Sequence, residues 1–164
     1  MLVRQATLTD VPGILDIYNE AVLNTTASYD YEPSTLEMRA AWFDEHVRTG
    51  YPVVVAEDES GRVAGWGSLS QFRVRIGYRF TAEDSVYVAA GRRGQGIGTQ
   101  LLAPLIESAR AMGLRAVIAA VDADNAPSLR LHERHGFVKV GHFRQVGYKF
   151  GRWLDVVYLE LLLS

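Results

Sequence analysis

The amino-acid sequence predicts a mixed α/β fold, because strand-like and helix-like segments alternate along the chain. Strand-like segments rich in β-branched residues dominate the middle of the chain, with residues 52–58 as the clearest case. Segments in which apolar residues recur every three or four positions are interspersed among them. At 164 residues the chain has the length of one domain, so we expect residues 1–164 to form a single domain.

Composition and charge exclude several classes of function. The 17 Lys and Arg residues nearly balance the 19 Asp and Glu residues, whereas nucleic-acid-binding domains usually carry a basic excess. The absence of cysteine excludes disulfides, thiolate nucleophiles and cysteine-ligated metals. No apolar run reaches the ~18 residues of a membrane span, and the N-terminus lacks a signal-peptide pattern. We therefore expect a cytoplasmic protein without a nucleic-acid or membrane partner.

In the first half of the chain, the predicted elements follow from cap and turn residues. A short strand at residues 3–6 precedes a helix capped by Thr9, with Pro12 in a first turn that tolerates its missing amide. A second helix is predicted from a Ser34 cap to Gly50. Two strands then follow at residues 52–58 and 62–70, joined by a turn at 59–61.

In the second half, helices and strands alternate. A strand at residues 85–89 leads through a glycine-rich turn into a helix at 98–112, which Gly113 ends. Pro104 lies inside this helix, where its missing amide should kink the chain. The remaining predicted elements are a strand at 116–121, a helix at 126–135 and strands at 137–140 and 153–163.

The glycine-rich turn is the most informative motif. It holds four glycines and two arginines within eight residues, Gly91-Arg92-Arg93-Gly94-Gln95-Gly96-Ile97-Gly98. Glycines let backbone amides approach an anion, and the following helix adds partial positive charge at its N-terminus. These features suit a diphosphate, although the turn has neither the lysine of a P-loop nor the glycine spacing of a dinucleotide fold. The alternative is a turn that only connects two elements.

Residues 93–98 match the pattern R-x-x-G-x-G and are thereby similar to the diphosphate motif of the GNAT superfamily of N-acetyltransferases. Residues 4–14 resemble the opening strand and helix of that superfamily, and residues 125–137 resemble its asparagine-led helix and following strand. Residues 80–88 and 151–156 resemble its phosphinothricin and methionine sulfoximine acetyltransferases. The resemblance implies a mixed, mostly antiparallel sheet, flanked by helices and splayed at its central strands.

The resemblance also implies acetyl-CoA as co-substrate and no metal. The backbone of residues 86–88 would pair with the pantetheine arm, and an amide near Val88 would polarise the thioester carbonyl. The implied cofactor-binding residues are Val86, Tyr87, Val88, Arg93, Gly94, Gln95, Gly96, Ile97, Gly98, Thr99, Asn125 and Ser128.

Two side chains are candidates for the proton transfers that acetylation of an amine requires. The position of Glu83 resembles that of the catalytic base in the phosphinothricin group, and the resemblance implies that Glu83 also contacts the substrate. The alternative is that Glu83 is a solvated acid in a loop. His132 resembles the histidine that protonates the departing thiolate, and the alternative is a helix-surface histidine. His135 lies three residues further on, but no third metal ligand presents itself, and we expect His135 to be structural.

The acceptor is expected to contact residues 73–75. If this segment is extended, Arg73 and Arg75 lie on one face and converge on one anion, with Val74 between them. The alternative is a basic loop that contacts solvent or another subunit.

The resemblance implies a small amino-acid-like acceptor amine of the methionine sulfoximine, methionine sulfone or phosphinothricin type. The alternatives are a peptide or protein N-terminal acetyltransferase and a non-catalytic acetyl-CoA-binding module. An apolar C-terminal strand that contains Trp153 favours a homodimer, by analogy with the family.

Overall fold

A computed structural model describes all 164 residues and contains one seven-stranded sheet and four α-helices. None of the helices combines the length and the apolar character needed to span a membrane. The strands are β1 (Leu2–Gln5), β2 (Val53–Glu57), β3 (Val63–Gln71), β4 (Thr81–Val88), β5 (Ala116–Asp122), β6 (Val138–Lys149) and β7 (Arg152–Leu162). The helices are α1 (Val11–Asn24), α2 (Leu36–Thr49), α3 (Ile97–Ala111) and α4 (Ala126–Arg134).

The sheet has the strand order β1-β2-β3-β4-β5-β7-β6 and is antiparallel except between β4 and β5. The parallel β4–β5 pairing covers only Thr81, Ala82 and Glu83 of β4. Beyond Glu83 the two strands separate, although β4 stays paired with β3 as far as Val88. The mixed, mostly antiparallel and centrally splayed sheet is therefore confirmed.

Helices cover both faces of the sheet. The larger apolar cluster packs α3 against one face through Leu101, Leu102 and Leu105. Gly65 of β3 allows this close approach, because a Cβ atom there would lie only 3.0 Å from Leu101 Cδ1. The second cluster packs α1 and α2 against the opposite face, around the almost fully buried Trp66.

Two of the predicted helix caps are wrong. Thr7, rather than Thr9, begins a short 3-10 turn, and α1 begins only at Val11, after Asp10. Asp10 accepts hydrogen bonds from the Thr7 amide and from Arg4, which draws the chain into this earlier turn. The cap of α2 is Thr35, whose hydroxyl accepts from the Met38 amide.

Three other elements differ from the predictions. Strand β4 begins four residues before the predicted start at 85, because its acidic residues resemble a loop in sequence. Strand β6 continues to Lys149, nine residues beyond the predicted end, since it is an exposed edge strand without a clear apolar alternation. Helix α3 is not interrupted at Pro104, which lies within its continuous span.

Candidate active site

A cleft of ≈ 830 Å³ lies where β4 and β5 separate. Its walls come from the end of β4, the glycine-rich turn, the start of α4 and the segment that follows α1. It contains every predicted cofactor-binding residue except Gln95, whose side chain instead accepts a hydrogen bond from Arg92. The structure thus brings the separate segments that the sequence singles out to one cleft.

The edge of β4 that faces this cleft has free backbone groups. The Ala89 amide donates to the Ala64 carbonyl of β3, and backbone groups alternate in direction along a strand. The amides and carbonyls of Val86 and Val88 therefore point away from β3, towards the gap that β5 leaves. Those of Tyr87 point towards β3, so its backbone is not available to a ligand although its side chain lines the cleft.

The turn before α3 is shaped for an anion. Gly94 and Gly96 have φ values of 78° and 81°, in the left-handed region that favours glycine. No side chain caps α3, whereas Thr35 caps α2. The first amides of α3 are therefore open to an external acceptor at the positive end of the helix dipole. The residues present fit a diphosphate.

The two arginines of the turn hold it in place. Arg93 donates to Glu20 of α1 at 2.8 Å and to the Val88 carbonyl at 3.3 Å. Arg92 pairs with Asp58 at 3.1 Å. Both side chains therefore tie the turn to neighbouring elements, and only their remaining donors are free for a ligand.

Sequence reasoning missed other cations of the cleft. Arg130 and Arg134 of α4 line it and form no ion pair, whereas Arg152 pairs with Asp124 at 2.9 Å. The signal was present in the sequence, because residues four apart share a helix face. Asn125 begins the same helix, and its side chain accepts from the Ser128 amide at 3.2 Å.

His132 is buried rather than open to the cleft. It is only 3% exposed, its Nε2 lies 2.7 Å from Asp84 Oδ2, and its Nδ1 lies 2.8 Å from the Ser128 carbonyl oxygen. Burial, the largest influence, lowers the pKa of His132, but the hydrogen bond and charge of Asp84 outweigh it and raise that pKa above its ordinary value. Both ring nitrogens are thus occupied within the protein.

Glu83 lies within β4, where it pairs in register with Ser70 and Ile118, and not in a loop. Successive strand residues face opposite sides, so Glu83 lies on the face away from Asp84 and His132. Burial raises the pKa of Glu83, the Asp84 charge adds to this rise, and Arg73 opposes it. The structure therefore does not bring the two candidate catalytic side chains together.

Residues 73–75 do not form the extended segment considered above, because they belong to the bent connection between antiparallel β3 and β4, although Arg75 itself has extended backbone angles. The Arg73 guanidinium lies 4.1 Å from the centre of the Phe72 ring and donates to the Phe72 carbonyl. Val74 is 86% exposed, and Arg75 directly precedes a 3-10 turn. The positive charge of Arg73 nevertheless lowers the pKa of Glu83, so the loop acts electrostatically on the site.

Comparison with known proteins agrees with this geometry. Residues 14–137 match the model of the acetyltransferase (GNAT) family. An L-methionine sulfoximine/L-methionine sulfone acetyltransferase of Pseudomonas aeruginosa is 50% identical over 162 residues, which cover 99% of this chain and 94% of that protein.

Two solved structures show the same fold. A ribosomal-protein-alanine N-acetyltransferase from Brucella melitensis is 47% identical, with a TM-score of 0.97 over 99% of this chain and 100% of that one. A GNAT superfamily phosphinothricin acetyltransferase from Sinorhizobium meliloti, in complex with acetyl-CoA, is 39% identical. Its TM-score is 0.97 over 99% of this chain and 88% of that one.

The His132–Asp84 pair predicts a pH-dependent contribution to stability. Because the pKa of His132 is raised in the folded state, the contribution is complete below the unfolded value of 6.5 and is lost as pH rises through the folded value. We expect His132→Asn to lower the free energy of unfolding by about 3 kcal/mol near pH ~6 and by less near pH ~9, as measured by urea unfolding.

The matched control is His135→Asn, since the ring of His135 bonds to the Leu131 carbonyl and to no carboxylate. His135→Asn should lower the free energy of unfolding by less than His132→Asn does near pH ~6, because it removes no charge pair. An equal loss of stability at both pH values for His132→Asn would contradict a charged pair.

Proposed function

Because the chain belongs to the acetyltransferase (GNAT) family, we propose that it transfers the acetyl group of acetyl-CoA to the amino group of a small amino acid. The proposed acceptors are of the methionine sulfone, methionine sulfoximine or phosphinothricin type, which are the substrates in the names of its relatives. The observation that carries the proposal is the free edge of β4 ending at an uncapped, glycine-rich helix N-terminus.

Acetyl-CoA supplies an acetyl group already activated as a thioester. The amides of residues 94–99 hold its diphosphate, since all of these residues except Gln95 line the cleft and no side chain caps the helix. The free backbone groups of Val86 act as a partner strand for the pantetheine amides, and the Val88 amide, whose own carbonyl accepts from Arg93, donates to the thioester carbonyl oxygen. Asn125 and Ser128 form the opposite wall.

Glu83 removes a proton from the acceptor ammonium, directly or through a water molecule. The pKa of Glu83 is raised towards neutral pH, and its carboxylate is therefore a better base than that of an ordinary glutamate. A thiolate whose conjugate thiol has a pKa of ~8.5 leaves readily, so its departure does not require a strong acid. His132 was expected to protonate it; we propose instead that His132 fixes β4 to α4 through Asp84.

The loop of residues 73–75 lies at the end of β4 that carries Glu83. We propose that Arg73 and Arg75 bind the side-chain oxygens of the acceptor, with Val74 against its apolar part. Guanidinium groups suit sulfone, sulfoximine and phosphinate oxygens, because they offer several donors in one plane.

We also propose a cytoplasmic homodimer. Strands β6 and β7 carry the exposed aromatic residues Phe143, Tyr148 and Trp153, and Trp153 is 64% exposed. Such an exposed apolar surface at a sheet edge is suited to a second copy of the chain. The proposed location is supported by the co-substrate, since acetyl-CoA is an intracellular metabolite.

A screen of acceptors tests the proposed function. Thiol release from acetyl-CoA should be fastest with methionine sulfone or methionine sulfoximine, compared with phosphinothricin, other amino acids, polyamines and short peptides. Arg75→Ala should lower kcat/KM for these two compounds by about tenfold, because a charge-assisted hydrogen bond is lost.

Faster acetylation of peptides that begin with alanine would favour the activity named for the Brucella relative. Tight acetyl-CoA binding without turnover of any acceptor would indicate a binding module instead.

Glu83→Gln tests the proposed base. In the wild-type protein kcat/KM should fall at low pH as Glu83 is protonated, with a midpoint above the ordinary 4.5 because its pKa is raised. The variant should be slower by about 10- to 100-fold near neutral pH and should lack this acidic limb. Glu107→Gln on α3, where the carboxylate is 76% exposed, is the control and should keep the wild-type profile. An unchanged acidic limb in Glu83→Gln would exclude Glu83 as the base.

A further inference from the structure

Arg39 of α2 is a buried cation without a carboxylate partner. The residue is only 7% exposed, and its guanidinium lies 4.1 Å from the centre of the Tyr18 ring and 4.6 Å from that of Trp42. None of the ion pairs of the chain includes it. Burial lowers the pKa of Arg39, and the charge of Asp30, whose exposed carboxylate accepts a hydrogen bond from the Tyr18 hydroxyl, opposes this only as a minor influence. A charge removed from water in this way is costly unless an opposite charge compensates it.

The surroundings of Arg39 have more hydrogen-bond donors than acceptors. Three buried side-chain nitrogens in the chain lack a partner: Nε of Arg39, Nε1 of Trp66 and Nε2 of His46. All three belong to side chains around the Trp42 ring. The first two are donors only, and one of them is charged. This cluster is therefore suited to an anionic acceptor of hydrogen bonds.

Tyr87 connects this cluster to the proposed active site. Its ring stacks on Trp66, with centroids 4.9 Å apart, and it also lines the cofactor cleft. Burial raises the pKa of Tyr87, the Arg39 guanidinium opposes this rise, and the Glu83 carboxylate adds to it. Arg39 and the proposed base thus lie within electrostatic reach of the same phenol.

We infer that Arg39 binds the α-carboxylate of the acceptor amino acid, an inference that rests on the proposed function. Glu83 and Tyr87 share one face of β4 and are four residues apart, or roughly 13 Å along a strand. The loop that carries Arg73 follows Gln71, which pairs with Ala82 at the Glu83 end of this face. Arg39 lies near the Tyr87 end, because its guanidinium is 5.8 Å from the centre of the Trp66 ring on which Tyr87 stacks. We place an extended amino acid between them, with its carboxylate at Arg39, its side-chain oxygens at the 73–75 loop and its ammonium linked to Glu83 through water.

This arrangement gives Arg39 a role in specificity that a purely structural stack would not have. A guanidinium aimed at the carboxylate selects amino acids over simple amines, and its planar fork matches both carboxylate oxygens. The aromatic rings hold the guanidinium in place before the acceptor binds, which reduces the entropy lost on binding.

The experiment compares methionine sulfone with 3-(methylsulfonyl)propylamine, the same molecule without its carboxylate. Arg39→Met keeps the aliphatic stem and removes the charge. It should raise KM for methionine sulfone by about 10- to 100-fold with kcat nearly unchanged, and should leave KM for the amine within about twofold. The preference of the enzyme for the amino acid would then largely disappear.

Two further variants make the result specific. Arg48→Met lies on the same helix, with a 70% exposed side chain that pairs only with Glu45, and should behave as wild type. Arg75→Ala should weaken both compounds alike, since both keep the sulfone. If Arg39→Met does not fold, Arg39→Lys keeps the charge and loses only the planar fork, and it should still raise KM for methionine sulfone but not for the amine.

Equal effects of the Arg39 substitution on both compounds, or no effect on either, would overturn the assignment. Acetyl-CoA affinity, measured on each variant, shows that the cleft is intact. A wild-type protein that acetylates methionine sulfone, together with an unchanged KM in Arg39→Met, would overturn only this inference. A wild-type protein that acetylates no amino acid would overturn the proposed function as well.

Discussion

The missing hydrogen-bond partner of β4 beyond Glu83 is the constraint on which the site depends. In a closed sheet, the backbone groups of Val86 and Val88 would pair with β5, and no ligand would reach them. Here β5 turns away after three paired residues, so that a sheet edge lies in the middle of the molecule. Buried backbone groups require partners, and a ligand with amides of its own supplies them. The anion-binding turn at the end of the same strand sets the direction in which that ligand lies.

The alternation of side chains along β4 separates two roles that adjacent acids would otherwise share. Asp84 points towards α4 and is neutralised by His132, while Glu83 points to the opposite face, where no hydrogen-bond partner restrains it. The first pair joins β4 to α4 on one side of the cleft. The second acid remains available for proton transfer. A shift of register by one residue would exchange these roles and bury the base.

The parts predicted correctly from sequence are those that depend on local chemistry. The glycine-rich turn between β4 and α3 follows from its glycines, and the order of elements follows from the periodicity of apolar residues. The errors concern tertiary partners. Neither the start of β4 nor the burial of His132 is visible before the Asp84–His132 pair is known, because two acids in succession resemble a loop. The sequence did not predict the burial of Arg39, because a cation in an amphipathic helix usually lies at the surface. Only the packing of α2 buries this side chain.

The binding of the diphosphate by the turn is the central claim, and calorimetry on the wild-type protein tests it directly. Coenzyme A and pantetheine share the arm that pairs with β4, but only coenzyme A carries the diphosphate. We predict that coenzyme A binds at least ~100-fold more tightly, because several charge-assisted amide hydrogen bonds are made only by the diphosphate. Equal affinities for the two compounds, or no heat with coenzyme A, would contradict the account.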